Sequence, residues 1–189
     1  MENELSEAEK KLLLQIARQA IVEAVHGETM LPLSERDLPL RLREKGATFV
    51  TLTKHGNLRG CIGTIEPYQS LVEDVREHAI AAALADYRFP PVIREEIDSI
   101  KIEISRLSQP ILLEFSNPEE LLSQLHPGID GVIIRDDIRR ATFLPQVWDK
   151  LPEKEEFLDH LCMKMGASPG FWKTNKAQIF IYQVEEFHE

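Results

Sequence analysis

The 189-residue chain has only two cysteines, Cys61 and Cys162, and no C-x-x-C pair. That excludes a disulfide framework and gives no support to a thiolate zinc site. Apolar runs stop after a few residues, far short of the roughly 20 needed to span a bilayer. The start, MENELSEAEKK, lacks the basic head and apolar core of a secretory signal. The expected location is therefore the cytoplasm, with both cysteines as free thiols. Basic charge is also scarce, with 22 Lys and Arg against 32 Asp and Glu, a net charge of −10 and a pI near 5.1. Nucleic-acid binders need a basic face, because phosphate contacts supply most of their affinity. The compact basic clusters here are Arg139 with Arg140, and Arg41 and Arg43 with Lys45, which read as surface charge. The balance argues against a nucleic-acid partner. A Gly-rich phosphate loop, a G-x-S-x-G elbow, a dinucleotide fingerprint and an H-E-x-x-H helix are all missing.

What is present is an ordinary globular composition, 43% hydrophobic and 29% charged. Ser6 and Glu9 form a capping box, and Leu13, Ala17, Ala20, Ile21 and Val25 follow at helical spacing until Gly27. Residues 32–39 read as a connector. The period then changes. Residues 47–53 (ATFVTLT) and 58–65 (LRGCIGTI) read as the two strands of a hairpin, with Gly56 in a loop over residues 54–57. A second box, Ser70 with Glu73, opens an alanine-rich helix that Pro90 and Pro91 end. Ile100, Ile102 and Ile104 alternate with polar residues as a half-buried strand. Asn117 and Pro118 start a short helix. Residues 131–135 and 140–144 form a second hairpin. A helix carrying Phe157, Leu158, Leu161 and Cys162 closes at Gly166, and residues 178–184 form a last strand. Hairpins outnumber βαβ units, so the expected fold is α+β, a mostly antiparallel sheet with flanking helices.

The informative segment is LRGCIG, residues 58–63. Residues two apart on a strand share a face, which puts Arg59 beside Cys61 and turns Leu58 and Ile62 to the core. A cation next to a thiol favours the thiolate. Gly60 and Gly63 let a backbone or ligand come close. The plainer alternatives are a cysteine packed as a small apolar group and glycines that mark a bulge. Asp86 and Arg88 sit in the turn after the alanine-rich helix, where Arg88 serves either as a fork for an anion or only as a tether for the Pro-Pro loop. Glu103, on the polar side of the 100–104 strand, is either a proton acceptor or a solvated residue. His78 reads as packed, and His126 lies in a loop. No cofactor or metal set is readable.

At LRGCIG the chain closely resembles the AMMECR family, in particular the A component of the AmmeMemoRadiSam gene set. The likeness runs through GATFVTLTKHGNLRGCIGTIEP, DYRFPPV, KIEISRLS, GIDGVIIR, ATFLPQVW, FLDHLCMKMG and the late Trp172, in order. The resemblance implies one AMMECR-type domain over residues 5–188, built as two closely packed subdomains, with the hexapeptide near the cleft between its lobes. It implies companions by gene-set association, a Memo-like protein and a radical-SAM enzyme. It supplies no reaction, but it strengthens a functional role for Arg59 and Cys61. Two functions follow as expectations. One is an enzyme acting on a small anionic metabolite or a protein-bound group, with Cys61 and Arg59 catalytic and Gly60, Gly63, Asp86, Arg88 and Glu103 binding. The other is a non-catalytic adaptor that uses the same surface. Either reading expects Asp86, Arg88 and Glu103 to converge on Arg59 and Cys61.

Overall fold

The computed structural model describes residues 4–28 and 38–189, so most of the expected connector at 32–39 lies outside the described residues. The chain divides into two compact units, Met1–Leu107 with Glu185–Glu189, and Ser108–Val184. Each is an antiparallel sheet with helices, so the fold is α+β.

The first unit opens with α1 (Glu7–His26) and a short α2 (Leu40–Arg43). The Ser6 box forms as expected, with Ser6 accepting from Glu9 N–H and Glu9 reaching back to the Ser6 N–H at 2.8 Å. Strands β1 (Lys45–Lys54) and β2 (Asn57–Gly63) form the hairpin. Its two-residue turn has His55 and Gly56 both at positive φ, 52° and 78°, the geometry that matches strand twist in tight hairpins. A two-residue strand β3 (Gln69–Ser70) pairs with β1 and leads into α3 (Leu71–Leu84). The expected Ser70 box does not form. Ser70 is committed to pairing with Lys45, and the Leu71 N–H is taken by the Glu44 carbonyl at 2.8 Å. After a 3-10 turn (Arg94–Ser99) comes β4 (Ile100–Leu107). The sheet order is β2-β1-β4-β9. The core unites Leu13, Ala17 and Ile21 of α1, Val72, Val75, Ala79 and Ala82 of α3, Val50 and Leu52 of β1, and Ile100, Ile102 and Ile104. Burying each large aliphatic side chain stabilises by about 1.5–3 kcal/mol. The helices therefore lie on the sheet face that presents Val50 and Leu52, and Phe49, Thr51 and Thr53 alternate onto the other face, only half-buried.

The second unit runs from β5 (Ile111–Leu112) through α4 (Pro118–Gln124), β6 (Gly131–Arg135), β7 (Arg140–Phe143), α5 (Lys154–Lys164) and β8 (Gln178–Tyr182). Its sheet order is β5-β8-β6-β7. Asn117 caps α4 by accepting from Glu120 N–H at 2.8 Å. The core packs Leu121, Val132, Ile134, Leu158, Leu161, Cys162, Trp172 and Ile179 around Trp148, whose ring stacks on Phe157 at 3.6 Å. The expected last strand, 178–184, is two strands. At Gln183 the chain leaves the second unit's sheet, and β9 (Val184–His188) joins the first unit's sheet beside β4. Gln183 exchanges hydrogen bonds with Ser108 at that point, which uses up the polar groups where the pairing changes.

Candidate functional site

Hairpin arithmetic from a two-residue turn pairs Lys54 with Asn57 and Thr53 with Leu58. Continued unbroken, it would set Cys61 opposite Val50, facing the helices. The register instead slips between Leu52 and Thr53, so that Leu52 pairs with Gly60 and Thr51 with Cys61. Arg59 is the extra residue of a β-bulge, and beyond it the strand has changed faces. Gly60 then faces α3, Ile62 packs on the core, and Cys61 lies with Thr51 on the half-buried face away from the helices.

The bulge overturns the expectation that Arg59 and Cys61 share a face. Arg59 is nine-tenths buried and makes a bidentate pair with Glu96, Nε to Oε1 at 3.1 Å and Nη2 to Oε2 at 2.8 Å. Lys54 adds a third contact to the same carboxylate at 2.9 Å, and the Ile93 N–H a fourth at 3.3 Å. The Arg59 fork, opposed by burial and helped by Lys54 and the Ile93 N–H, pulls the Glu96 carboxyl down to about 2. Arg59 is thus engaged in holding the hairpin to the 3-10 turn, and the Cys61 sulfur has a different partner. Leu58, expected in the core, is exposed, because on the near side of the bulge it alternates with Arg59 onto the other face.

Both glycines have a packing reason. A Cβ on Gly60 would overlap the Ala82 carbonyl oxygen in the last turns of α3, and one on Gly63 would overlap the β1 backbone at Thr48 and Phe49. The alanines of α3 and Gly60 together let helix and strand backbones approach closely.

The turn after α3 reaches the same place. β2 is an edge strand, and at Cys61 both main-chain groups point away from β1. Asp86 accepts the Cys61 N–H at Oδ2, 2.8 Å, and Arg88 Nη2 donates to the Cys61 carbonyl at 3.1 Å. Arg88 also grips Asp86 through Nε and Nη2, at 2.9 and 2.6 Å. The pair substitutes for a neighbouring strand, satisfying an exposed edge with side chains. Asp86 is almost wholly buried, yet the Arg88 guanidinium holds its carboxyl far below the usual carboxylate range against the opposing effect of burial, with the Cys61 and Arg88 N–H groups adding to it. Asp86 in turn raises Arg88 further above its ordinary value. Arg88 Nη1 takes no hydrogen bond among the described residues, and its side chain is 43% exposed.

On the face that carries Cys61, Thr51 Oγ1 donates to the sulfur at 3.3 Å. Thr51 pairs on its other side with Glu103 of β4. Cys61, Thr51 and Glu103 therefore form one row across three strands, about 10 Å long at roughly 4.8 Å per strand. Glu103 is half-buried, and its carboxylate makes no hydrogen bond or ion pair among the described residues. Sequence reasoning overlooked Thr51, whose place opposite Cys61 depends on the bulge. Asp86 and Arg88 thus meet Cys61 directly, Glu103 lies on its row two strands away, and Arg59 is directed elsewhere.

Three further features stand apart from this row. His78 is buried, with Nδ1 at 3.2 Å from Asp74, which also accepts from Thr48 at 2.6 Å. His126, in the second unit, is tied to Asp130 at 3.1 Å. An open groove of about 510 Å3 lies between α1 and β9, lined by residues that include Lys10, Leu14, Arg18 and Phe187 and by none of the candidate site residues. Among the described residues no group of three or more His, Cys, Asp or Glu is placed to hold a metal ion, and no helix is long and apolar enough to cross a membrane.

Comparison with known proteins places the chain in a family. A protein of Methanothermobacter thermautotrophicus is 42% identical over 190 residues, spanning 98% of this chain and 96% of its own length. A protein of Methanopyrus kandleri is 39% identical over 197 residues, spanning 100% and 92%. The crystal structure of an uncharacterised protein from Pyrococcus horikoshii superposes with a TM-score of 0.81 at 36% identity, covering 98% of this chain and 93% of that one. The AMMECR1 family model matches residues 14–187, and the chain belongs to the AMMECR1 family.

Proposed function

We propose that this chain is a thiol-dependent enzyme whose reacting group is Cys61 and whose substrate, a small metabolite or a group carried on a protein, bears an anion. The observation that carries the reading is the grip of Asp86 and Arg88 on both main-chain groups of Cys61. A cysteine held that firmly on an edge strand has a fixed side-chain direction, which a nucleophile needs and a packing residue does not. Arg88 keeps Nη1 for an anionic group next to the sulfur. Glu103, unpaired on the same row, is the acid–base group. Arg59 has no part in the chemistry and serves the fold.

The test uses two alkylating agents of similar size and opposite demand. Relative to a free thiol, native Cys61 should favour anionic iodoacetate over neutral iodoacetamide, read by mass spectrometry at 20 mM salt, and the preference should fade at 500 mM as screening rises. Cys61→Ser should abolish function in a complementation assay while complexes survive. Full complementation by Cys61→Ser would overturn the proposal.

A second reading has its own observation. Tyr87, between Asp86 and Arg88, is 94% exposed, and Leu58, three residues before Cys61 on β2, is 45% exposed. An exposed Tyr beside an Arg is the composition of a protein-binding hot spot. In that case the chain is an adaptor, the companions implied by the gene set are its partners, and Tyr87→Ala loses their capture in a pull-down while Cys61→Ser keeps it.

A further inference from the structure

Of the side chains around Cys61, only the Thr51 hydroxyl reaches the sulfur itself among the described residues, at 3.3 Å. Asp86 and Arg88 act on the main chain, and Arg59 lies on the other side of the bulge. Thr51 is fixed as firmly as any residue in the sheet, since it sits mid-strand with Cys61 on one side and Glu103 on the other. Its β-branched side chain has few rotamers, so the hydroxyl direction is set by the strand. A threonine at such a position is ordinarily exchangeable for valine, which has the same shape and suits a strand as well. The hydroxyl is the only difference between them, and here it is aimed at a sulfur.

We propose that Thr51 is a positioning residue of the Cys61 site, donating its hydroxyl hydrogen bond to the sulfur so that the thiolate is favoured and its lone pairs are oriented away from the sheet. The inference rests on the reading of Cys61 as the reacting group. The thiol proton leaves to solvent, the sulfur keeps the electron pair, and the Thr51 O–H, which stays intact, strengthens its bond as charge appears on sulfur. A hydrogen bond to a charged acceptor is worth roughly twice one to a neutral acceptor, so the contact acts mainly on the ionised form.

The same geometry gives Glu103 only a minor opposing role. Glu103 follows one strand beyond Thr51 on the same row, about 10 Å from Cys61 at roughly 4.8 Å per strand, a distance at which like charges repel only weakly.

The experiment is iodoacetamide labelling of the full chain between pH 5 and 10, with Cys61 and Cys162 followed separately by mass spectrometry. Thr51→Val should slow Cys61 labelling at pH 7 by about three- to tenfold and move its pH–rate profile to higher pH, with Thr51→Ser restoring the wild-type profile. A purely structural threonine predicts the reverse pattern, in which Val is harmless and Ser, a poorer strand former, is not. Cys162 is the fold control. If it becomes labelled in Thr51→Val, the comparison is made with Thr51→Ala against Thr51→Ser. An unchanged Cys61 profile in a folded valine or alanine variant overturns the inference and leaves the reacting thiol standing. A wild-type Cys61 that labels only after unfolding removes the reacting thiol, and this inference with it.

Discussion

The two cysteines of this chain have the same chemistry and opposite surroundings. Cys162 is fully buried in the core of the second unit, where burial pushes its thiol above the ordinary value. Cys61 is half-buried on an edge strand. In the native protein Cys61 should label with iodoacetamide and Cys162 should not, and in denaturant the two should label alike. Labelling of Cys162 under native conditions would contradict the second unit's core packing. Arg59 shows the other side of residue-level reading. The sequence reveals a cation two positions from a thiol, and the structure spends that cation on Glu96. Because the pair is bidentate and nearly buried, lysine is a poor replacement. Arg59→Lys should cost about 1–3 kcal/mol in urea unfolding, with little effect on Cys61 labelling. A loss of labelling in Arg59→Lys without a loss of stability would restore Arg59 to the site. Neither Glu96 nor Thr51 was legible as a site partner, since both contacts follow from a bulge that period-2 reasoning does not contain.

At the scale of elements, the hairpin, α3 and the turn after it form one device. Alternation and turn chemistry in ATFVTLTKHGNLRGCIG are enough to predict two strands and their tight connection, and the alanines of α3 are enough to predict close packing. The close approach itself falls at Gly60. Gly60→Ala would drive a methyl into the Ala82 carbonyl, a backbone atom that cannot swing aside. It should cost about 1–3 kcal/mol or more and, by shifting the C-terminal end of α3, disturb the Asp86 contact to Cys61. Gly56→Ala is the contrast, with open space around it but a φ of +78°, so it should cost about 1–2 kcal/mol of backbone strain and leave Cys61 unaffected. Urea midpoints of the two variants, with Cys61 labelling alongside, separate a contact effect from a backbone effect. The Ser70 box teaches a complementary lesson. The local pattern S-x-x-E was present, but long-range pairing of Ser70 with Lys45 and of the Leu71 N–H with the Glu44 carbonyl set the entry to α3, and the Ser70 side chain caps nothing.

At the scale of the whole molecule, charge governs the response to acid. Glu96 has its carboxyl pulled down to about 2 by Arg59, and Asp136 is held at about 2 by the Ile138 and Arg139 N–H groups and the Arg139 side chain. Asp86 is lower still under Arg88. A carboxyl that titrates lower in the folded state than in the unfolded chain stabilises the fold only while ionised. For Glu96 that stabilisation is complete above its ordinary 4.5 and is lost as pH falls toward 2. Unfolding midpoints should therefore drop through this interval, and Glu96→Gln should flatten the decline. With a net charge of −10 and a pI near 5.1, solubility should also pass through a minimum close to pH 5, readable by light scattering.

Composition, periodicity and turn residues by themselves determined that this protein is α+β and antiparallel, because hydrophobic alternation and capping act over a few neighbouring residues. Motif order determined its family in the same way. What only tertiary structure decided is where the side chains of the hexapeptide go. A single inserted residue in β2 reverses the faces of everything beyond it, so Cys61 meets Thr51 and Arg59 meets Glu96. The passage from β8 to β9, where one extended stretch serves two sheets, was likewise decided by pairing between distant strands. Both outcomes depend on hydrogen bonds between residues far apart in the chain, and local sequence carries no record of those partners.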